Sequence, residues 1–347
     1  LGILLSLCHP SLTKAQQFAA SAQHYGPEQG LAHREVNAIF QDRQGFMWFG
    51  TKFGLNRFDG LHFTPYTQQA NGLDFDDIRS IAQDADGLLW LMGPYGKSGI
   101  TLFNPVTGTA TSFQKRFNKP RPSTFRNIQQ SLLGSPDGTI FFANYEPATL
   151  FAYHPRSGLR EIALPQYKSL ILAAVTARKT IWAIANQTQL IELTPDGRVL
   201  HFFDHQAEIV VCLGQRNAGI EFFYVQAGTP ARPKGGLYRI DVAGQRQELP
   251  ISLIPSMEKG FLPVRYPFDR SGLVWNGTQL RDATNRILLD ITEQLTNGWS
   301  AFFCDKNGGM WIGTAFGVYQ IRVTQNYFRR LFYRPGNFDN KPPAVRG

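Results

Sequence analysis

Cysteine, histidine clusters and long apolar runs are all scarce in this chain. Three cysteines and seven histidines are scattered over 347 residues. No cysteine pair has metal-ligand spacing. Cys212 and Cys304 fall on expected inner strands of non-adjacent repeats, so no bridge is expected and both read as small buried hydrophobes. His201 and His205 have i,i+4 spacing, but their flanks alternate like a strand and turn, which argues against a shared metal. No zinc-protease His-Glu pair, nucleophile elbow or phosphate loop occurs. No segment approaches the run of about 20 apolar residues that spans a bilayer. A sustained 3.6-residue stripe is missing too, which excludes solenoids of helix pairs.

What the chain does have is a repeat. Its sharpest copies are Val36 to Thr51 (VNAIFQDRQGFMWFGT) and Ser300 to Thr314 (SAFFCDKNGGMWIGT). An aromatic residue three places after a turn glycine marks each copy: Trp48, Trp90, Phe141, Trp182, Phe222, Trp275 and Trp311. The spacings are 42, 51, 41, 40, 53 and 36 residues. Their mean, about 44, suits a four-stranded propeller blade. In the first unit strand A reads as 36–41, B as 46–50, C as 54–58 and D as 61–66, with the Asp42–Gly45 turn between A and B. The fourth unit replaces the turn glycine with Lys179, and the fifth uses Arg216 to Gly219. The sequence thus predicts an all-β, seven-bladed propeller of four-stranded antiparallel blades over residues 16–335. The seven aromatics read as core rings wedged between blades, each contributing at most roughly 4–6 kcal/mol by area.

A ring of blades needs closure, because an open sheet edge invites aggregation. The stretch from Ala22 to Leu31 resembles Phe63 to Leu73, the end of the first unit, and reads as a strand D lacking its own blade. The competing candidate for that outer strand is Tyr327 to Tyr333. Residues 1–15 read as an export signal without its start, which places the mature protein outside the cytoplasm. Residues 336–347 read as a linker and the beginning of a further repeat, Ala344 to Gly347. The net charge is +9, with Lys115, Arg116, Lys119, Arg121 and Arg126 in one loop and Arg329, Arg330 and Arg334 in a second group. Such groups read as solvated loops or as attraction for an anionic ligand. Nucleic acid is a poor partner for an exported chain.

The pattern Val36-x-x-Ile39-x-x-Asp42-x-x-Gly45-x-x-Trp48-x-Gly50-Thr51, followed by Gly54-Leu55-x-x-Phe58, resembles the two-component regulator propeller repeat. The resemblance covers roughly residues 22–335 and is sharpest in the first and last copies. It implies the periplasmic sensor region of a hybrid two-component system of the Bacteroidetes type, anchored in the inner membrane when complete. It implies glycan detection, polysaccharide-utilisation control, a second propeller as partner, a homodimer, and no cofactor, metal or catalysis in this part. In a propeller of this strand order the B–C and D–A loops share one face. Those loops carry Lys52 and Phe53, Tyr95 and Lys97, Asn144 and Tyr145, Asn186 and Gln187, Arg232 and Lys234, Thr278 and Arg281, and Phe316. Rings beside amide and cationic donors suit a sugar or a sugar acid. Two other readings remain: a propeller enzyme of the streptogramin-lyase type, which has a similar repeat, and a non-catalytic interaction scaffold.

Overall fold

The computed structural model describes residues 18–94, 99–119, 132–176, 178–204, 209–216, 219–226, 234–240, 245–249, 267–268, 273–275, 278–282, 286–295 and 299–325. They form seven four-stranded antiparallel sheets, so the chain is the expected all-β propeller. Blade one is Val36–Gln41, Met47–Thr51, Gly54–Phe58 and Phe63–Tyr66, within two residues of each sequence-based boundary. Period-two alternation and an Asp-x-x-Gly turn suffice to register its hairpin, in which Phe40 faces Trp48 and Gln41 faces Met47.

The last sheet settles closure. Its inner three strands are Trp299–Cys304, Met310–Thr314 and Gly317–Gln325, and its outer strand is Phe18–Tyr25. All eight residues of the N-terminal strand are paired, from Phe18 opposite Gln325 to Tyr25 opposite Val318. The likeness of this stretch to the end of blade one is carried into packing. Tyr25 lies 6.1 Å from Trp311, as Tyr66 lies 5.8 Å from Trp48. Leu31 and Leu73 are both buried, each one residue after a left-handed Gly30 or Gly72. The strand begins at residue 18, earlier than the resemblance from Ala22 suggests. The rival segment, 327–333, lies outside the described residues.

The ring aromatics hold neighbouring blades together. Trp48 packs with Ile78, Ile81, Leu89, Leu91 and Phe103 of blade two. Trp90 joins Phe142, Phe151 and Tyr153 of blade three, and Phe141 joins Leu170, Leu172 and Ile181 of blade four. Trp311 closes the circle against Val36, Met47, Phe49 and Phe58 of blade one. Trp182 is buried as well. Phe222 and Trp275 lie on the expected second strands of blades five and six, Gly219–Gln226 and Leu273–Trp275, but their side chains lie outside the described residues.

The turn aspartates do more than hold their own backbone. Asp42 Oδ1 accepts the Phe46 N–H at 2.9 Å while Oδ2 accepts the Trp48 indole N–H at 2.7 Å. Asp84 repeats this with Leu88 and Trp90, and Asp305 with Gly309 and Trp311. Each carboxylate therefore satisfies a buried indole that would otherwise lack a partner. Blade three has Phe141, with no indole, and there Ser135 stands in the aspartate's place and bonds Asp137. Lys179 adopts φ 65° where Gly45, Gly87 and Gly308 have φ of 98°, 89° and 81°, so the turn shape survives loss of glycine.

One expectation fails. Cys304 is exposed rather than buried. It occupies the place held by Gln41 in blade one, at the solvent end of an inner strand. The protein packed on one side of its thiol, and then the adjacent Asp305 carboxylate, still push it up to about 12.

Candidate functional site

Hydrogen bonds between loops confirm that the B–C and D–A connections meet on one face. In blade one Ile78 N donates to Thr51 O at 3.0 Å, and Gly54 N to Asp76 O at 2.7 Å. The B–C turn is built by the pentapeptide Gly50-Thr51-Lys52-Phe53-Gly54. Thr51 Oγ1 donates to Gly54 O and accepts the Phe53 N–H, at 2.9 and 3.1 Å. Gly54 has φ 96°, and a Cβ there would collide with the Tyr66 carbonyl. Lys52 and Phe53 are thereby held at the tip, with Phe53 55% exposed. Blade seven repeats the device through Thr314, Phe316 and Gly317, with φ 118° at the glycine and Phe316 45% exposed.

Around these two rings lies a network of paired charges that loop-by-loop sequence reading missed. Arg34 sits 5.1 Å over the Phe316 ring. Lys52 lies 3.5 Å from Glu35, and Glu35 lies 3.7 Å from Arg79. The Arg79 guanidinium grips Asp77 at 2.8 and 2.9 Å and donates to Asn37 Oδ1 at 3.1 Å. Arg34, Glu35, Asn37, Asp77 and Arg79 sit at or just before the inner strands Val36–Gln41 and Ser80–Gln83, so they border the propeller axis. Lys52 is a half-satisfied cation here, and exposed pairs of this kind contribute about 0–1 kcal/mol.

Blades three and four show a different chemistry on the same face. Tyr145 is buried, and its hydroxyl receives the Gln187 Nε2–H at 2.8 Å. Leu170 N donates to Tyr145 O, and Asn186 N to Ser169 O, each at 3.1 Å. The Asn186 side chain accepts from Lys168 N and donates to Gln189 Oε1, at 2.8 and 2.9 Å. It therefore frames its turn. Asn144 Oδ1 is buried without a hydrogen bond.

The remaining candidates divide. Tyr95, Lys97 and Arg232 lie outside the described residues. Lys234 opens the strand Lys234–Ile240, and its side chain is likewise outside them. Arg281 was expected on the B–C side and is not there. It ends the strand Gln279–Arg281, opposite Val274 and next to the Asp282–Arg286 turn, on the opposite face. The second strand of this blade ends at Trp275 and pairs it with Leu280, so the B–C hairpin closes earlier than the repeat spacing implies. The Arg281 guanidinium donates to Gln279 Oε1 at 2.6 and 3.1 Å. Of the basic loop, Lys115 and Arg116 lie on the short helix Phe113–Phe117 and Lys119 pairs with Glu161 at 3.0 Å.

Two perturbed carboxyls, Asp84 and Asp137, lie in turns of the other face. Burial raises Asp84 against its bonds from Trp90 and Leu88. Burial also acts upward on Asp137, but bonds from Lys179, Ser135 and Thr139 outweigh it and hold the carboxyl well below the usual range. No group of three metal-ligating side chains gathers at His201 among the described residues, and His205 lies outside them. The His201 Nδ1 lies 2.6 Å from Glu192 Oε2, across the outer two strands of blade four.

Residues 30–53 and 294–316 match the two-component regulator propeller family. No curated protein matches the sequence. Among solved structures, a streptogramin B lyase is similar at 12% identity and a TM-score of 0.61, covering 88% of this chain and 98% of the lyase. An inactive histidine-to-alanine variant of virginiamycin B lyase from Staphylococcus aureus, bound to quinupristin, is similar at 14% identity and a TM-score of 0.59, covering 87% and 99%. The extracellular domain of a hybrid two-component system from B. thetaiotaomicron is similar at 18% identity and a TM-score of 0.59. That likeness covers 86% of this chain but 41% of the extracellular domain. The structural likenesses establish the fold, while the matched segments fall on blades one and seven, where the turn chemistry is most regular. The chain is a seven-bladed β-propeller, and two of its segments, in blades one and seven, are similar to the two-component regulator propeller repeat.

Proposed function

We propose that this propeller is a ligand-sensing, non-catalytic part of an exported hybrid two-component sensor, and that its ligand is a glycan. The observation that carries the reading is the repeat match in the two blades that meet at the ring closure. Similarity to the extracellular domain of a hybrid two-component system supports an exported setting. Among the described residues no helix is long and apolar enough to cross a membrane. In this reading the protein acts in the periplasm, with a second propeller and a second copy of the sensor as partners. The B–C face offers exposed rings, amides and paired cations, which is chemistry suited to sugar hydroxyls and rings.

The test uses the complete protein containing this propeller, in membranes, with autophosphorylation measured across a panel of plant and host glycans. One glycan class is expected to change the phosphorylation level. A complete protein without a kinase, or a kinase indifferent to every glycan, would overturn the reading.

A second reading has an observation of its own, since streptogramin-type lyases consist of one propeller of this size. Chromatography of quinupristin incubated with the chain separates the two. Conversion of the compound would favour an enzyme, and its full recovery the sensor.

A further inference from the structure

We propose that the B–C turns of blades three and four form a subsite for a neutral polyhydroxyl ligand, read by the carboxamides of Asn144 and Gln187. The proposal deepens the sensor reading and rests on it for the existence of a glycan ligand. Its own support is geometric.

Asn144 ends the second strand of blade three, Ile140–Asn144, three residues after Phe141. The matching positions in blades one and seven hold Thr51 and Thr314, whose hydroxyls close their turns. In blade three the connection is longer, and it is Thr149 Oγ1 that donates to the turn, at Pro147 O. The Asn144 amide is left over, with Oδ1 buried and unbonded. A buried acceptor without a donor is costly, and an O–H or N–H from a ligand would satisfy it. That requirement points to a hydroxylic ligand, because a carboxylate or phosphate group brings only acceptors when ionised.

Gln187 lies in the adjacent turn. Thr188 N donates to Ala185 O at 3.3 Å, and the two central residues, Asn186 and Gln187, have φ of 51° and 68°. Two positive φ values are the type I′ pattern, for which Asn-Gly is the usual pair. Glutamine is held there against the steric penalty that a side chain meets in the left-handed region. Its amide is spent on the neighbouring blade, donating to Tyr145 OH. A strained residue whose side chain bonds Tyr145, the chain neighbour of the unsatisfied Asn144, is the kind of outlier from which a site is inferred. Asn186, by contrast, is bonded at both ends and serves the frame.

The test follows the side-chain amide resonances of Asn144 and Gln187 during titration with cellobiose, maltose, xylobiose and, as an anionic control, digalacturonate. Saturable shifts of both amides are expected with at least one neutral sugar. Asn144→Thr, which copies blades one and seven, should weaken that binding about tenfold with the melting temperature unchanged. Gln187→Gly should raise the melting temperature yet also weaken binding. No saturable shift with any neutral sugar would overturn the proposal, as would binding that survives both substitutions. Shifts confined to the surroundings of Arg34 and Lys52 with digalacturonate would overturn this subsite and leave the sensor reading standing. A glycan-indifferent kinase with the amide shifts intact would do the reverse.

Discussion

The arc of the B–C face formed by blades seven and one differs from the arc formed by blades three and four. The first spends its turn residues on its own backbone: Thr51 and Thr314 close the loops, and Gly54 and Gly317 take up the left-handed φ. What it presents outward is a pair of phenylalanines with charges already matched beside them. The second arc leaves the Asn144 Oδ1 unbonded and holds Gln187 in the left-handed region. Regular turns mark the copies that match the family, whereas the irregular turns carry the unspent hydrogen-bonding capacity. In a repeat architecture a blade can depart from the repeat locally, because each blade is supported by its neighbours.

The largest break in this comparison comes from the seam. Trp311→Ala removes the ring shared by blades seven and one and should cost about 3–5 kcal/mol in urea unfolding. Trp182→Ala, in the irregular arc, should cost less, since it shares its cluster with few fully buried neighbours. Equal losses would show that both arcs depend equally on their aromatic.

The next effect is the carboxylate–indole bond. Asp42→Ala leaves the Trp48 indole and the Phe46 amide without their acceptor and should cost about 1–3 kcal/mol. Ser135→Asp should stabilise nothing, because the Phe141 ring has no N–H to donate to the carboxylate. A stability gain from Ser135→Asp would show that the carboxylate serves the turn alone.

Smaller still is the turn glycine. Gly45→Lys meets open space, so only its φ of 98° opposes it, and the expected cost is about 1–2 kcal/mol. Lys179→Gly relieves the same strain in the irregular arc but loses the 2.7 Å pair with Asp137, leaving a net gain under about 1 kcal/mol. A loss on Lys179→Gly would mean that the pair outweighs the strain.

Acid titration gives the finest comparison. Asp137 has a lowered folded value, so its contribution is complete above its ordinary value near 3.8 and disappears as pH falls through the folded value. Asp84 has a raised folded value, so protonation favours the folded state and stability rises as pH falls from that raised value towards 3.8. Unfolding midpoints measured between about pH 6 and pH 2 should therefore lose part of their steep acid limb in Asp137→Asn. An unchanged limb would remove Lys179 and Asp137 as an electrostatic link between blades three and four.

Blade positions were legible in the sequence because hairpin turns and period-two strands are local codes. Trp48, Trp90 and Trp311 announced themselves by their distance from a turn glycine. The partner of each indole was less legible, although Asp42, Asp84 and Asp305 stand six residues before their rings, because the bond bridges a hairpin. Arg281 was misplaced since the B–C hairpin of its blade is shorter than that of blade one: Trp275 faces Leu280, five residues on, where Trp48 faces Arg57, nine residues on. The site was legible as a set of loops but not as contacts. Arg34, Glu35, Asn37, Asp77 and Arg79 come together from two blades, and no local spacing encodes that meeting. Asn144 was visible as a loop residue, while its unused oxygen depends on how Thr149 and Pro147 close the turn.

The antiparallel clasp has a mechanical meaning. Phe18 and Gln325 lie side by side at one end of the ladder, and Tyr25 and Val318 at the other. Tension drawing the chain apart at residues 18 and 325 loads the rungs one after another, as in unzipping, rather than all together in shear. The ring would open first at Phe18, and the stacked Tyr25 and Trp311 would be the last latch to give way.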